Sequence, residues 1–477
     1  MDFNYETIKA LAKESGLKTT DLIALAPAND PFYVGRPSEV ETAQWFADLW
    51  HQFGYGRGIH LRRVHYQIVS QDPPMKRPDG QVYENTEGCW DFLNNASKWA
   101  RYMGLIPANH FVDRRNPEAI INARWPKPGD WDYDDPTPGY DAEYDPATTW
   151  SDYQIPQLPE LPDLPTVFPS LPDFAVNGYD GIQQTHHVEV WVEKTTMNDV
   201  LEPLCRRYRC NLITGAGELS ITAVIEFLQR VQQAGRPARI LYLSDYDPAG
   251  LGMPISVARK IEFYQRDGCD DICLHPIVLT TDQVAHYDLP RVPVKDADRR
   301  KANWEASHGQ GQVEMDALEA LHPGELSHIV ENEILTYFDP TLTDRAGDAR
   351  DQLTNTLDDE FQRITLSRDD DLGPLRAEYD GLLDEFAQTR ARFAELVAQF
   401  QPELDAYKGR LAAIVEEAAK MYEAIAEEMG DTEVEMPDLP EPDLPEESNS
   451  LLYNSTRNYL DQLVYYKSYR SNGDTDA

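Results

Sequence analysis

Residues 240–250 read ILYLSDYDPAG, and this stretch decides the fold of the region around it. The apolar run 240–243 is typical of a buried strand, and Asp245 and Asp247 follow where that strand ends. Pro248 and Gly250 then favour a sharp turn into the next helix. The stretch therefore predicts a strand–turn–helix unit with two carboxylates at the carboxyl end of the strand.

The flanking sequence repeats this pattern on both sides. Three further strands are predicted at residues 188–192, 212–214 and 273–278, and two helices at about residues 197–204 and 221–234. Strands that alternate with helices are typical of a parallel α/β sheet, so we expect an α/β domain over residues 186–345.

Three carboxylates are expected at one edge of this sheet, because Glu193 ends one strand and Asp245 and Asp247 end another. The carboxyl ends of parallel strands converge on one crevice, and carboxylates there repel each other unless a cation intervenes. Oxygen ligands in an open site suit Mg²⁺. A plainer interpretation of any one of these acids is a helix cap or a solvated side chain. The whole pattern predicts a Mg²⁺ site.

A more basic segment precedes the sheet. Residues 1–37 form a helical lead-in, and helices are predicted to begin at Ser38 and to run over residues 85–103. Helices of this length around short strands suit a winged-helix module over residues 38–125. Its basic side chains include Arg57, His60, Arg62, Arg63 and His65.

The remaining segments contain none of the candidate site residues. Residues 126–185 are a linker rich in Pro and Asp, with repeated Leu-Pro pairs that favour an extended backbone. Residues 346–430 have a heptad-like apolar pattern, which indicates a long coiled-coil-like helix or helical hairpin. Residues 431–477 form an acidic linker and a tail with one weak helix.

Composition limits the class of protein. The 477 residues include 83 Asp and Glu and 43 Lys and Arg, which gives a net charge of −40. This charge argues against nonspecific electrostatic binding of nucleic acid over the whole surface, but it does not exclude a local basic site. Such an acidic surface is also typical of proteins adapted to high salt. Five cysteines predict no disulfide framework, and no signal peptide or membrane span is visible, so we expect a cytoplasmic protein with no membrane partner.

Several motifs together resemble a known family. They are Glu193-Lys194, Gly215-Ala-Gly217, Asp245-Tyr-Asp247-Pro248-Ala-Gly250 and the later stretches 277–281 and 313–318. They are similar to the Toprim domain of topoisomerases, primases and related nucleases, and most similar to the A subunit of topoisomerase VI and its meiotic double-strand-break relatives. The resemblance covers about residues 186–340 and implies a winged-helix DNA-binding domain followed by a Toprim domain. Residues 89–115 look more like those of shorter, stand-alone relatives.

The same family carries a nucleophilic tyrosine in its winged-helix domain, at the end of an Arg-x-x-Tyr-Tyr motif. This chain has Arg62-Arg63-Val-His65-Tyr66, so the resemblance implies that Tyr66 is the nucleophile, with His65 replacing the first tyrosine. Tyrosine ionises only near pH 10, and neighbouring arginines would favour the phenolate and contact phosphate. His65 is then a candidate proton acceptor. A core role for Tyr66 is the plainer alternative.

The resemblance implies Mg²⁺-dependent cleavage of DNA through a tyrosyl-phosphate link, by a homodimer in which the tyrosine of one protomer meets the acids of the other. A separate ATPase subunit would be needed for strand passage, since no ATPase motif is visible. A Toprim nuclease that hydrolyses DNA with metal-activated water is one alternative, and a non-catalytic DNA-binding or assembly factor is another. Accessory or phosphate-contacting roles are considered for Lys194, Glu218 and Lys295.

Overall fold

The chain folds into two units in a computed structural model. The structure describes residues 4–113, 116–123, 125, 143–147, 168–179, 182–215, 217, 219–265, 269–296, 298, 300–393, 401–448 and 450–472. The sheet unit comprises Met1–Pro136, Gln184–Pro340 and Pro442–Ala477, and the helical unit comprises Thr137–Gln183 and Thr341–Glu441.

The described residues contain seven strands and fifteen α-helices, in the following order along the chain. The strands are β1 (Glu143–Ala147), β2 (Asp173–Asn177), β3 (His187–Val192), β4 (Asn211–Thr214), β5 (Ala238–Leu243), β6 (Ile272–Val278) and β7 (Tyr453–Asn454). The helices are α1 (Tyr5–Ser15), α2 (Pro37–Gln52), α3 (Leu61–Val69), α4 (Glu87–Tyr102), α5 (Asn198–Arg207), α6 (Ile221–Ala234), α7 (Gly252–Tyr264), α8 (Thr281–His286), α9 (Lys301–His308), α10 (Met315–Leu321), α11 (Glu325–Leu335), α12 (Leu342–Ser367), α13 (Asp369–Phe393), α14 (Gln401–Gly430) and α15 (Tyr459–Asn472).

A five-stranded sheet with the order β4-β3-β5-β6-β7 forms the centre of the sheet unit. The first four strands are parallel, and β7 pairs with β6 in the antiparallel direction. Every residue of β3, β4 and β5 is buried, which explains their unbroken apolar runs, because a parallel sheet is covered on both faces. The predicted α/β class with parallel strands is confirmed.

One charged group is accommodated inside this sheet. Glu189 on β3 is fully buried, and its carboxylate accepts hydrogen bonds from Arg230 at 2.7 and 2.9 Å. It also accepts from Asn211, Trp191 and His187. A buried carboxylate is tolerated only when it is paired and fully hydrogen-bonded, and this network meets that requirement.

The N-terminal helices have a core of their own. Helices α2, α3 and α4 enclose a cluster that includes Phe46, Trp50, Val64, Leu93 and Phe111. The short strands expected around these helices are represented, among the described residues, by isolated bridges that join Ile59 to Phe111 and Lys76 to Val82. The basic segment itself begins a helix, because the side chain of His60 caps α3 by accepting from the backbone of Arg62 at 3.1 Å.

The C-terminal tail is more than the single weak helix that its sequence predicts. It adds β7 to the edge of the sheet, and residues of α15 join the same core. Its anchor is Arg259 on α7, which is fully buried and pairs with Asp30 of the lead-in at 3.2 Å. The same guanidinium donates to the hydroxyl of Tyr459 at 2.7 Å and lies over the ring of Phe32. Arg259 thus joins the lead-in, the sheet and the tail.

The helical unit contains the heptad-like sequence. Helix α14 packs against both α12 and α13, and two apolar clusters lie along these contacts. Pro402 lies in the first turn of α14, which begins at Gln401, where proline is compatible with a helix. Strands β1 and β2 form an antiparallel pair in the same unit. No described helix is both long and apolar enough to cross a membrane.

Replacing Arg259 tests whether the buried ion pair holds the sheet unit together. Arg259→Leu leaves Asp30 buried without its cation, so we expect a loss of about 3–5 kcal/mol in stability and a clear fall in the midpoint of thermal unfolding. Arg206→Leu is the matched control, because Arg206 is exposed and its pair with Glu202 should contribute less than about 1 kcal/mol. Equal effects of the two changes would contradict the assignment.

Candidate functional site

The site lies where β3 and β5 end side by side. Val192 and Leu243, the last residues of these strands, are in register, so the chain places Glu193 and Asp245 at the same edge of the sheet. The carboxylate of Glu193 accepts a hydrogen bond from the backbone N–H of Asp245 at 3.2 Å. The parallel register, set by two apolar strands, is therefore what brings these two acids together.

The turn after β5 positions Asp247. Its Oδ1 atom accepts hydrogen bonds from the backbone N–H groups of Ala249 and Gly250, at 2.7 and 2.6 Å, which leaves its second oxygen without a partner among the described residues. This turn requires glycine at position 250, because a Cβ there would lie 1.9 Å from the carbonyl oxygen of Asp245. The spacing of the Asp-x-Asp-Pro-x-Gly motif thus has a steric cause.

Gly215 plays a similar part at the neighbouring strand. A Cβ at this position would lie 2.8 Å from the carbonyl oxygen of Gly217 and 3.6 Å from that of Glu193. The turn after β4 therefore packs against the backbone of the carboxylate site. Glu218, in the same turn, lies outside the described residues.

Lys194 lies among the acids as their counter-ion. Its ammonium is 2.8 Å from Asp245, 3.2 Å from Glu314 and 3.1 Å from Asp316. The last two acids come from the start of α10, which is held in place because the backbone N–H of Met315 donates to Asp245 at 2.8 Å. Sequence analysis did not identify Glu314 and Asp316 as site residues. The motif that contains them was identified, but about 120 residues of sequence separate it from Lys194, so the contact could not be predicted.

The cluster contains more carboxylates than ammonium groups, and this imbalance affects the pKa values of its members. Burial and the nearby charge of Asp245 raise the pKa of Glu193 to about 7. Burial also raises the pKa of Asp245, although the ammonium of Lys194 opposes it. Burial alone would lower the pKa of Lys194, but its hydrogen bond to Asp245 raises it overall. The cluster therefore has an excess of negative charge that a further cation would neutralise.

The donor chemistry of this cluster suits a divalent cation. Glu193 and Asp247 each keep one carboxylate oxygen without a protein partner among the described residues, and all the candidate ligands are hard oxygen atoms. Within the described residues, no group of three or more acids, histidines or cysteines is already arranged around a metal position. Both oxygens of Asp245 are already engaged, one by the ammonium of Lys194 and the other by the backbone N–H of Met315. A divalent cation held by Glu193, Asp245 and Asp247 would have to displace Lys194 from Asp245.

The other candidate residues lie on the surface of α3. The Tyr66 side chain is 59% exposed, and Arg62 and Arg63 precede it by four and three residues, so the three share one helix face. Both arginines are exposed and form no ion pair with any described residue. Residues 53–71 around them contain no Asp or Glu. The α3 face is thus a local basic surface on an acidic chain.

His65 does not serve Tyr66 as a proton acceptor. It is buried, its Nδ1 atom lies 2.7 Å from the hydroxyl of Tyr83, and its Nε2 atom lies 3.1 Å from the Asn85 side-chain oxygen. Both ring nitrogens are therefore engaged in the core of the N-terminal helices. His65 is a structural residue, and the sequence-based suggestion of proton transfer to it is wrong.

The two halves of the predicted site are not in contact within one chain. Tyr66 makes no hydrogen bond or ring contact with the carboxylate cluster in the part of the chain that the structure describes. Lys295 is exposed and forms no ion pair with a described residue, whereas Lys194 lies at the centre of the acids. Glu193, Asp245, Asp247 and Lys194 thus lie together at one edge of the sheet. Tyr66 lies outside this cluster.

The pH dependence of the melting temperature tests whether burial and neighbouring carboxylates raise the pKa of Glu193. Because the pKa of Glu193 is raised in the folded state, ionising this residue destabilises the fold. Its unfavourable contribution to the free energy of unfolding therefore grows as the pH rises from about 4.5 to about 7. Glu193→Gln removes this charge and keeps an acceptor for the Asp245 N–H. In a metal-free buffer we expect its melting temperature to exceed that of the wild type by roughly a few degrees at pH about 8, with a smaller gap at pH about 5.

Glu14→Gln is the control for this comparison, because Glu14 is an exposed residue of α1. It should shift the melting temperature little, and equally at both pH values. A Glu193→Gln variant that is less stable than the wild type at the higher pH would contradict the account.

Comparisons with known proteins do not assign this site. The chain matches no protein-family model, and no curated protein matches it with significant similarity.

Proposed function

We propose that this chain is a Mg²⁺-dependent DNA-cleaving protein of the topoisomerase VI A-subunit type, with a winged-helix domain and a Toprim domain. The observation that carries the proposal is the convergence of Glu193, Asp245 and the Asp247 turn at one edge of a parallel sheet. The exposed Tyr66 beside two arginines supports it, because it supplies a nucleophile and cations for phosphate.

Tyr66 would attack the phosphorus of a DNA phosphodiester. A bond forms between the tyrosine Oη atom and phosphorus, and the bond from phosphorus to one sugar oxygen breaks, so a phosphodiester is conserved. The sugar oxygen takes up a proton as it leaves, and the phenol proton goes to solvent, since His65 is engaged elsewhere. Arg62 and Arg63 would stabilise the charge on the phenolate and on the phosphate.

Glu193, Asp245 and Asp247 would hold Mg²⁺. When bound, the ion supplies positive charge that stabilises the phosphate and orients the DNA backbone. Displacement of Lys194 from Asp245 would leave its ammonium with Glu314 and Asp316, which already contact it. These two acids would then keep Lys194 close enough to contact the DNA phosphate.

The separation of the two halves of the site agrees with the homodimer that the family resemblance implies. Because Tyr66 is exposed and makes no contact with the carboxylate cluster of its own chain, we propose that it meets the cluster of a second copy. Strand passage would in addition require a separate ATPase subunit.

The same separation supports a second candidate function. Without Tyr66, the carboxylate cluster could direct water to the phosphate in a hydrolytic nuclease. Glu193 would suit the proton transfer in that reaction, because its pKa is raised to about 7 by burial and by Asp245. Such an enzyme cleaves DNA with no protein–DNA link.

A trapping assay distinguishes these functions. End-labelled duplex DNA is incubated with the protein and Mg²⁺ at high salt, and denatured protein is examined for attached label. We expect a labelled protein band that is lost in Tyr66→Phe and reduced on the order of a hundredfold in Asp247→Asn. Asparagine keeps an oxygen that can accept from Ala249 and Gly250, so this change removes charge and leaves the turn intact.

Tyr407→Phe, in the helical unit, is the matched tyrosine control and should retain the band. Cleavage that persists in Tyr66→Phe without any labelled protein would establish the hydrolytic function. An absence of both cleavage and label in the wild type would contradict the claim that this chain cuts DNA by itself.

A further inference from the structure

A large cavity in the sheet unit lies beside the carboxylate site and is not used by the proposed cleavage. Its volume is about 950 Å³, and it lies between the lead-in, α4, α9, α15 and the starts of α6 and α7. It adjoins the site through the turn after Asp247, because Pro248 and Ala249 line it. A cavity of this size accommodates a small organic ligand.

The charge of this cavity is opposite to that of the whole chain. Its lining includes five cationic side chains, Lys98, Arg101, Lys260, Arg300 and Arg470. None of the lining residues that the structure describes is Asp or Glu, although acids outnumber cations 83 to 43 in the chain. Cations concentrated in a concave site focus a positive potential that attracts anions, although Arg300 contributes less because it pairs with Asp298 at 2.8 Å.

Arg101 is the cation of this lining whose surroundings best suit an anionic ligand. Its Nε atom donates to the backbone carbonyl of Ser97, and its guanidinium lies over the ring of Phe111. It forms no ion pair with any described residue. Burial lowers its pKa, and the nearby side chains of Tyr264, Tyr102 and Asp113 oppose this shift. Arg101 is only partly exposed to solvent and has no counter-ion among the described residues, so an anionic ligand here would stabilise it.

Further positive groups surround the same space. Helices α6 and α7 begin at the cavity, where Ser220, Ile221, Gly252 and Met253 line it, and the first turn of a helix carries partial positive charge. Arg470, on α15, is exposed and forms no hydrogen bond with a described residue. The ring of Trp304 adds an aromatic group to the lining.

We propose that this cavity binds phosphate groups, either of a free nucleotide or of a nucleic-acid strand. Arginines bind phosphate through paired N–H donors, and the helix starts add further attraction. The aromatic and apolar lining would accommodate a nucleoside beside the phosphates. This inference does not rest on Tyr66 or on DNA cleavage, and it stands if either fails.

Binding in the presence of a metal chelator tests the inference without involving the carboxylate site. The probes are ADP, inorganic pyrophosphate and a short single-stranded DNA, each titrated into the full chain by calorimetry. We expect at least one to bind, and Arg470→Gln and Arg101→Gln to weaken it by roughly tenfold or more. Arg206→Gln, which removes an exposed cation of α5 outside the cavity, should leave affinity unchanged.

The three probes distinguish the source of the phosphate. Tight binding of ADP that pyrophosphate competes away identifies a nucleotide site, whereas binding of the DNA alone identifies a strand-binding site. Should Arg101→Gln fail to fold, Arg470→Gln still decides the result, because its side chain is exposed. The proposal is overturned if no probe binds, or if Arg206→Gln weakens binding as much as Arg470→Gln does.

Discussion

Carboxylates that share one edge of a sheet repel each other, and this constraint shapes the sheet unit. The register of β3 and β5 fixes Glu193 beside Asp245, so the acids cannot separate without breaking the sheet. Neighbouring groups offset the repulsion instead, through backbone N–H donors and the ammonium of Lys194. The start of α10 takes part in this, because the backbone N–H of Met315 donates to Asp245. Burial and, after it, the charge of Asp245 still raise the pKa of Glu193 to about 7.

Stability for such a site comes from elsewhere in the unit. The buried strands supply an apolar core. The ion pair of Arg259 with Asp30 is fully enclosed, and that of Glu189 with Arg230 buries the carboxylate and leaves the guanidinium partly exposed. Proteins commonly tolerate a destabilising functional site when the surrounding fold is well packed. The tail takes part in this packing, because β7 and α15 cover the edge of the sheet.

Much of the sheet could be predicted from the sequence, because its strands are continuous apolar runs followed by turn residues. The meeting of Glu193 and Asp245 could also be predicted, since parallel strands end at one edge. The contacts of Lys194 with Glu314 and the pairing of β7 with β6 could not, because they join residues far apart in the chain and have no local pattern. His65 was misinterpreted for a related reason: its partners Tyr83 and Asn85 become neighbours only in the folded core.

The central claim is that Tyr66 of one copy acts with the carboxylate cluster of another. Co-expressing differently tagged Tyr66→Phe and Asp247→Asn chains tests it directly, because the mixed dimer contains one site in which both groups are intact. We predict that the mixture regains the covalent DNA adduct, and that the adduct lies on the Asp247→Asn chain. An isolated mixed dimer that forms no adduct, while the wild-type dimer does, would contradict the claim.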